Sequence, residues 1–428
     1  MKKERKGMNS KSTNGITLIA LVITIVVLVI LAGVAINLSL SNNGIFNRAK
    51  QAREDYKHAT NEEQSGLANV EKAMDEIAGG GTTNSPAEIK EIAGVKGGDY
   101  FEKPTTVKDS NGNLIKVPQG FKIAQDSGIN VTEGIVIEDN DIITGIGNNR
   151  GNQYVWIPVG TGIKKSDGTT VDITLGRYTF ADGTNDKASD GTTVLAKGTP
   201  ILQQSAKNYT QEVAIYSNYK ELTTSRIGTV DTSNRLNDTN TTALNLKGFI
   251  DSVKANGGYY IARYEASYGT DGKANSKVSN SYSETTAPTT EGTLWNNITQ
   301  IDSATASRNL YTTATTDLIN SYAWDTAIVY IQNFSGDADY SYQDGKSINS
   351  SLTNTGANGD EVCKINDMAS NTCEWTTEYS TYTGSSDVTP CTFMGGHYNS
   401  SGYCASTRSD NLATHSSKNM TFRPTLYM

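Results

Sequence analysis

Histidine, proline and surplus positive charge are scarce in this chain. Only three histidines and eight prolines occur in 428 residues. This composition leaves little material for a histidine-rich metal site and excludes collagen-like and proline-rich linker proteins. Acidic residues outnumber basic ones 45 to 37, for a formal net charge of −8. A surface that binds nucleic acid needs the opposite sign, so no nucleic-acid partner is expected.

Cysteine is also rare, and its placement is uneven. The four cysteines, Cys363, Cys373, Cys391 and Cys404, all lie after residue 360. An even number within one segment favours two disulfides and an oxidising compartment. The three pairings cannot be told apart, and four reduced thiols are the alternative. No two cysteines have the C-x-x-C spacing, which argues against a zinc site or a thioredoxin-type motif.

Long hydrophobic runs are absent except near the N-terminus. Residues 1–15 carry five basic side chains and one acidic side chain, and residues 16–40 carry no charge. A bilayer needs about 20 apolar residues, so the run predicts a membrane span. The positive flank would stay in the cytoplasm and place the rest of the chain outside. A secretory signal peptide would have a shorter apolar region and a small-residue cleavage site.

The join between these two segments resembles the class III leader of type IV prepilins. The residues are Gly15-Ile16-Thr17-Leu18-Ile19. The resemblance implies that a prepilin peptidase cuts after Gly15, that Ile16 becomes the methylated N-terminus, and that other pilin-like subunits are partners. Ala20 stands where the family usually has glutamate. This departure weakens the case for a major pilin and leaves open a minor pilin, a pseudopilin or an uncut anchor.

Residues 41–113 predict a stalk followed by a linker. Leu67, Val70, Met74 and Ile77 form an apolar stripe at helical spacing. The sequence therefore predicts a membrane-spanning and amphipathic stalk helix over 16–77. Glycine, threonine and asparagine then indicate a linker and the start of the head over 78–113. The head is expected over 114–428, with polar surface loops at 160–245 and 268–292. Four strands and one helix are predicted in it, at 114–117, 134–137, 154–158, 259–263 and 326–333.

Six short segments of the head resemble, in order, the formylglycine-generating sulfatase-modifying family. Each alone is a weak signal, and their common order is the stronger one. The segments are Tyr154–Val159, Gly258–Glu265, Tyr322–Ala327, Asn366–Thr376, Met394–Tyr398 and Thr421–Pro424. The resemblance implies an elaborated C-type-lectin-like fold. The predicted fold class is therefore α+β, with a long N-terminal helix ahead of a C-type-lectin-like domain of small sheets and long loops.

The residues that would carry the family's catalysis are not preserved. Its copper-binding cysteine pair follows the Gly-Gly motif by four and nine residues, where this chain has Ser400 and Ala405. A hydroxyl cannot replace a thiolate as a soft copper ligand, so the chain is not expected to be an enzyme. Glu374 is expected to anchor a backbone turn or Arg423 through a charge-assisted bond. No cofactor is expected, although structural calcium at Asp367 and Asn371 stays open because related positions bind calcium in some family members.

The segment from Gly395 to Met420 has the composition of a paratope. It is rich in serine, asparagine, glycine and tyrosine, which combine rigid amphipathic area with adaptable hydrogen bonds. Lectin-like folds expose this region, and variable proteins of diversity-generating retroelements mutate such a segment. An ordinary polar loop is the alternative. The candidate ligand-binding residues are Tyr398, Asn399, Tyr403, Arg408, Asp410 and His415.

These observations predict a prepilin-like protein displayed on the cell surface. It would be a single-pass protein of the cell envelope or pilus, held in the membrane through residues 16–40. Its extracytoplasmic head would bind an extracellular protein or glycan without catalysis, with the C-terminal segment as a diversified surface. The alternative is a minor pilin or pseudopilin whose head has a purely structural role in filament assembly or secretion.

Overall fold

The computed structural model describes residues 89–211, 213–221, 246–357, 359–381 and 389–428. These residues belong to one unit, which spans 88–428.

The described residues contain twenty short strands and five α-helices. The strands are β1 (Lys90–Glu91), β2 (Thr105–Lys108), β3 (Leu114–Val117), β4 (Lys122–Ile123), β5 (Val136–Glu138), β6 (Gln153–Pro158), β7 (Gly160–Lys164), β8 (Thr170–Ile173), β9 (Gly176–Phe180), β10 (Pro200–Ser205), β11 (Tyr219–Lys220), β12 (Gly258–Ala262), β13 (Ser267–Tyr268), β14 (Ala274–Asn275), β15 (Thr315–Leu318), β16 (Cys373–Ser380), β17 (Cys391–Met394), β18 (Arg408–Asn411), β19 (Met420–Phe422) and β20 (Pro424–Tyr427). The helices are α1 (Ile92–Val95), α2 (Leu246–Asn256), α3 (Gln300–Ser307), α4 (Ser321–Phe334) and α5 (Gly345–Ile348).

The largest sheet has six antiparallel strands in the order β15-β20-β12-β6-β5-β4. Strands β6 and β12 are buried at every position, which explains why apolar and aromatic residues follow one another from Tyr154 to Pro158 and from Tyr259 to Ala262 rather than alternating with polar ones. Trp156 lies opposite Tyr260 in the register of this pair. Their rings meet edge to face at 5.0 Å between centroids, a favoured aromatic geometry.

A second sheet of five strands carries the C-terminal segment. Its order is β11-β16-β17-β18, and β19 pairs with β16 in parallel. Helix α4 contacts β6 of the first sheet and β16 of the second. The Asn320 side chain caps this helix by accepting a hydrogen bond from the Ala323 N–H at 2.9 Å. The core between the two sheets is therefore built around one buried helix.

A buried ion pair fixes the connection between β19 and β20 to β16. Arg423 Nε donates to Glu374 Oε2 at 2.7 Å, and both side chains are 0% exposed. The guanidinium also donates to the carbonyl oxygens of Ala262 and Asn366 at 3.1 and 2.9 Å. The expected charge-assisted bond between Glu374 and Arg423 is confirmed. Because burying an unpaired charge is very costly, each partner requires the other.

The predicted fold class is wrong for the chain that the structure describes. Small antiparallel sheets dominate, and the five described helices span 4 to 14 residues. None of them is the expected long N-terminal helix. The physical reason is that apolar runs after residue 88 are short and end at turn residues, which favours strands over long helices.

The predictions of a prepilin-like anchor and of a single-pass envelope protein are contradicted as well. Among the residues that the structure describes, no helix combines the length and the apolar character that a membrane span needs. The leader with Gly15 and Ile16, the span over 16–40 and the stalk to residue 77 lie outside the described residues.

Candidate functional site

The C-terminal segment 395–420 runs from the end of β17, through a loop, into β18 and on to β19. Strand β18 pairs with β17, with Arg408 opposite Met394 and Asp410 opposite Thr392. It stands at the end of the strand order of the five-stranded sheet. Residues Arg408–Asn411 of the segment therefore lie at a sheet edge, where side chains can reach a partner without disturbing the core.

The backbone of the loop before β18 is held tightly by the body. A Cβ atom added to Gly396 would lie 2.0 Å from the carbonyl oxygen of Ala369, so only glycine fits there. Trp324 Nε1 donates to the carbonyl oxygen of Ala405 at 3.0 Å, and both residues are fully buried. The Gly345 N–H donates to the carbonyl oxygen of Tyr403 at 3.0 Å. These contacts make the loop a fixed platform rather than a loose connection.

The structure divides the six predicted ligand-binding residues into two groups. Asn399 is exposed, and Tyr403, Asp410 and His415 are partly exposed. Tyr398 is only 7% exposed, and the Arg408 side chain is 1% exposed. Four of the six side chains thus reach the surface, while those of Tyr398 and Arg408 are buried in the protein.

Arg408 is the centre of a buried network of four charges. Its Nε donates to Glu378 Oε2 at 2.6 Å, and one terminal nitrogen donates to Asp325 Oδ2 at 2.8 Å. Arg177 donates to the other oxygen of Glu378. Burial by itself would lower the pKa of Arg408, but the negative charges of Asp325 and Glu378 raise it above its usual value. Two guanidiniums and two carboxylates therefore anchor β18 to helix α4 and strand β9.

Aromatic rings pack against the side chains of Tyr403 and His415. The Tyr403 ring stacks on Phe393 with ring centroids 6.4 Å apart. The centroid of the His397 ring lies 4.8 Å from that of Tyr403. His415 meets Trp375 edge to face at 6.2 Å. Burial lowers the pKa of His415 below its usual value, so the ring is neutral at pH 7. The surface thus presents a neutral imidazole and a phenol on a packed aromatic base.

Two tyrosines far away in the sequence lie beside this segment. Strand β11 pairs with the end of β16, with Tyr219 opposite Ser380, and the Ser380 hydroxyl donates to Asp410. Burial raises the pKa of Tyr219 to about 12, and the charges of Asp410 and Glu378 add to the effect. Tyr216 is 54% exposed. The sequence analysis missed both, although their Tyr-Ser-Asn-Tyr context has the same composition as the predicted site.

The two residues considered for calcium already have protein partners. Asp367 Oδ2 accepts hydrogen bonds from the Thr355 hydroxyl and the Gly356 N–H, both at 2.7 Å. Asn371 Oδ1 accepts from the Thr353 N–H at 3.0 Å, and its amide group donates to Glu265 at 2.5 Å. Burial and the nearby carboxylate of Asp360 raise the pKa of Asp367 to about 8. In the described part of the chain, no three His, Cys, Asp or Glu side chains are grouped to hold a metal ion.

All four cysteines are free thiols, so the two expected disulfides are not formed. Cys373 Sγ lies 3.4 Å from the carbonyl oxygen of Gly395, four residues along the chain from Cys391. Four residues of strand cover roughly 13 Å, well beyond the ~7 Å between Cα atoms that a disulfide tolerates. Cys404 Sγ lies 3.4 Å from the Thr407 hydroxyl oxygen and not beside another cysteine.

Comparison with known proteins adds no functional assignment. No sequence profile of a known family matches the chain, and no curated protein matches it. Three solved chains match by structure. One of them is described as the crystal structure of CarF, with 15% sequence identity, a TM-score of 0.29, and coverage of 40% of this chain and 87% of that chain. A similarity this low carries no argument about fold or activity.

Proposed function

We propose that this chain is a non-catalytic binding protein whose ligand contacts the C-terminal segment 395–420 together with Tyr216 and Tyr219. One observation carries the proposal. The same segment combines deeply buried anchors, such as Ala405 and the Arg408 guanidinium, with outward side chains at Asn399, Tyr403 and His415.

Such an arrangement suits recognition for a physical reason. Binding loses less free energy to ordering when the contact residues already sit on a rigid backbone. Tyrosine supplies contact area at low entropic cost, and serine and asparagine supply adaptable hydrogen bonds. Exposed positions on such a platform can change without unfolding the protein. That property supports the idea of a diversified surface for an extracellular protein or glycan.

The residues near the segment support binding without catalysis. Ser400 and Ala405 stand where the resembled family has its cysteine pair, and Ala405 is fully buried. His397 is buried and His415 is partly exposed, and burial lowers the pKa values of both. The hydrogen bond that His397 Nδ1 makes is with the backbone N–H of Asn399, at 3.2 Å. His397 Nδ1 is therefore occupied by a backbone donor rather than by a side chain that could act as a nucleophile.

The test is an array experiment with the full chain. We expect it to bind selectively to a printed array of defined glycans or proteins. Replacing Asn399, Tyr403 and His415 together by alanine should reduce that signal at least about tenfold, the loss of roughly 1.4 kcal/mol. Tyr282→Ala is the matched control, because Tyr282 is 41% exposed and lies outside the segment. Equal binding by the triple variant and the parent would refute the proposal, as would loss of binding in the control alone.

A further inference from the structure

A groove of about 720 Å³ lies away from the C-terminal segment. Its walls are the β2–β3 hairpin, the end of helix α2, and residues 309–316, which lead into β15. Pockets that hold small molecules are typically 300–1,000 Å³, so the groove has the volume for one. The predicted ligand-binding residues are not among its lining residues.

The lining is polar and almost uncharged. It contains six threonines and two asparagines, and Lys116 is its one charged side chain. None of the described residues that line the groove carries a side-chain carboxylate. Hydroxyl and amide groups both donate and accept hydrogen bonds. This is the complement that a ligand rich in hydroxyl groups requires.

Some of these polar groups hold the walls together, and others remain available. The Thr313 hydroxyl donates to the carbonyl oxygen of Gln119 at 2.9 Å, and Lys116 Nζ donates to the Thr106 hydroxyl at 2.7 Å. By contrast, the side chains of Asn309, Thr312 and Thr315 make no hydrogen bond with the described residues. Asn309, Thr312 and Thr315 are all exposed, so they can bond to a ligand without losing an existing partner.

Tyr311 gives the groove an aromatic wall of fixed orientation. Its hydroxyl donates to Asp139 Oδ2 at 2.6 Å. Its ring meets Phe121 edge to face at 4.9 Å and Tyr154 at 6.0 Å. These contacts fix the ring, and Tyr311 is one of the residues that line the groove, so the ring can present a rigid apolar surface to a ligand. The carbon-bound hydrogens on one side of a sugar ring fit such a surface, because an aromatic face is apolar and slightly negative.

We propose that this groove binds a neutral oligosaccharide, with Tyr311 packing against a sugar ring and Asn309, Thr312 and Thr315 bonding to its hydroxyl groups. The inference is independent of the function proposed for the C-terminal segment. It rests on the volume of the groove, on its hydroxyl-rich lining with a single charged side chain, and on the fixed aromatic ring.

The experiment tests the full chain on an array of defined neutral, sialylated and sulfated oligosaccharides. Titration calorimetry then measures the affinity for the neutral oligosaccharide that gives the strongest array signal. The variant Thr312→Val/Thr315→Val removes two hydroxyls at constant shape and should weaken binding about tenfold. Thr184→Val is the matched control, because Thr184 is exposed in a loop outside the groove. Tyr311→Phe keeps the ring and should retain binding, whereas Tyr311→Leu should lose it while far-ultraviolet circular dichroism shows it folded.

Two results would overturn the inference. One is binding only to sialylated or sulfated probes, or to no oligosaccharide. The other is neutral-glycan binding that persists in the double threonine variant and disappears in the triple variant of Asn399, Tyr403 and His415. The second result would place the sugar on the C-terminal segment and leave that proposal intact. Loss in the threonine variant with full binding in the triple variant would support the groove.

Discussion

Arg408 and Glu378 form a buried ion pair that joins the outer strand of the five-stranded sheet to its centre. Arg408 Nε lies 2.6 Å from Glu378 Oε2, and the side chains are 1% and 0% exposed. Arg408 was expected to contact a ligand, and the structure gives its guanidinium two carboxylate partners instead. Within the site, this pair supports the positions that do reach the surface.

Removing one member of this pair should destabilise the fold strongly. Arg408→Met leaves Glu378 with Arg177 and Asp325 with the Tyr178 N–H, and we expect the free energy of unfolding to fall by about 3–5 kcal/mol. Urea denaturation followed by tryptophan fluorescence measures it. Lys418→Met is the control, because the Lys418–Glu284 pair is 39% and 54% exposed and the variant should change the stability far less. Similar losses in the two variants would contradict the buried role of Arg408.

The close approach at Gly396 gives a second prediction. In Gly396→Ala the new methyl group would meet the Ala369 carbonyl oxygen at 2.0 Å. The loop must shift, which we expect to cost about 1–3 kcal/mol in a denaturant titration. Gly94→Ala adds the same methyl group where nothing lies within 4 Å, and it should leave the stability unchanged or slightly higher. An unaffected Gly396→Ala protein would show that the loop is not held at this point.

Asp367 should make stability fall as the pH rises. Burial and the charge of Asp360 raise its pKa to about 8 in the folded protein, against about 3.9 in the unfolded chain. Between these values the folded state holds a proton that the unfolded state has lost. The contribution is complete below about pH 4 and disappears as the pH rises through 8. Asp367→Asn keeps an acceptor for Thr355 and Gly356 and should flatten this decline.

Urea midpoints at pH 5, 6, 7 and 8 measure the slope for each protein. Asp182→Asn is the control, because backbone hydrogen bonds from Asn185 and Thr184 lower the pKa of Asp182 to about 2, below this window. Parallel curves for the parent and Asp367→Asn would show that Asp367 does not titrate there.

The thiols should react very unequally. Cys373 and Cys391 are buried, and burial raises their pKa values above the usual range. Burial also raises the pKa of Cys363 to about 12. Since the thiolate is the reactive form, Cys404 should be the one thiol that a disulfide reagent modifies rapidly in the native protein. The unfolded protein should react at all four without prior reduction, and Cys404→Ser should lose the fast phase. Fewer than four thiols in the unfolded protein would show that disulfides form.

The local elements could be predicted where hydrophobic pattern and turn residues agree. The predicted strand at 114–117 coincides with β3, those at 154–158 and 259–263 overlap β6 and β12, and the helix at 326–333 lies within α4. The strand at 134–137 is displaced toward 136–138. Short apolar runs bounded by glycine and asparagine carry enough local information for this. The fold class was wrong because it depended on how the elements assemble, which no local pattern contains.

For the candidate site as well, the sequence predicted local properties and not the contacts between distant residues. Composition alone marked the segment 395–420 as a surface suited to binding, and Asn399, Tyr403, Asp410 and His415 do reach the surface. Composition could not show that Arg408 points inward, because Asp325 and Glu378 come from other parts of the chain. It also could not bring Tyr219 beside Asp410, since nearly 200 residues separate them in sequence.

The sequence by itself determined the polar composition, the net negative charge and the individual strands, because these depend on residue identity and near neighbours. Only the tertiary structure decided which side chains of the C-terminal segment are anchors and which are exposed, why no two cysteines meet, and where the threonine-lined groove lies. These features depend on contacts between residues far apart in the chain, and strand pairing and helix packing create those contacts.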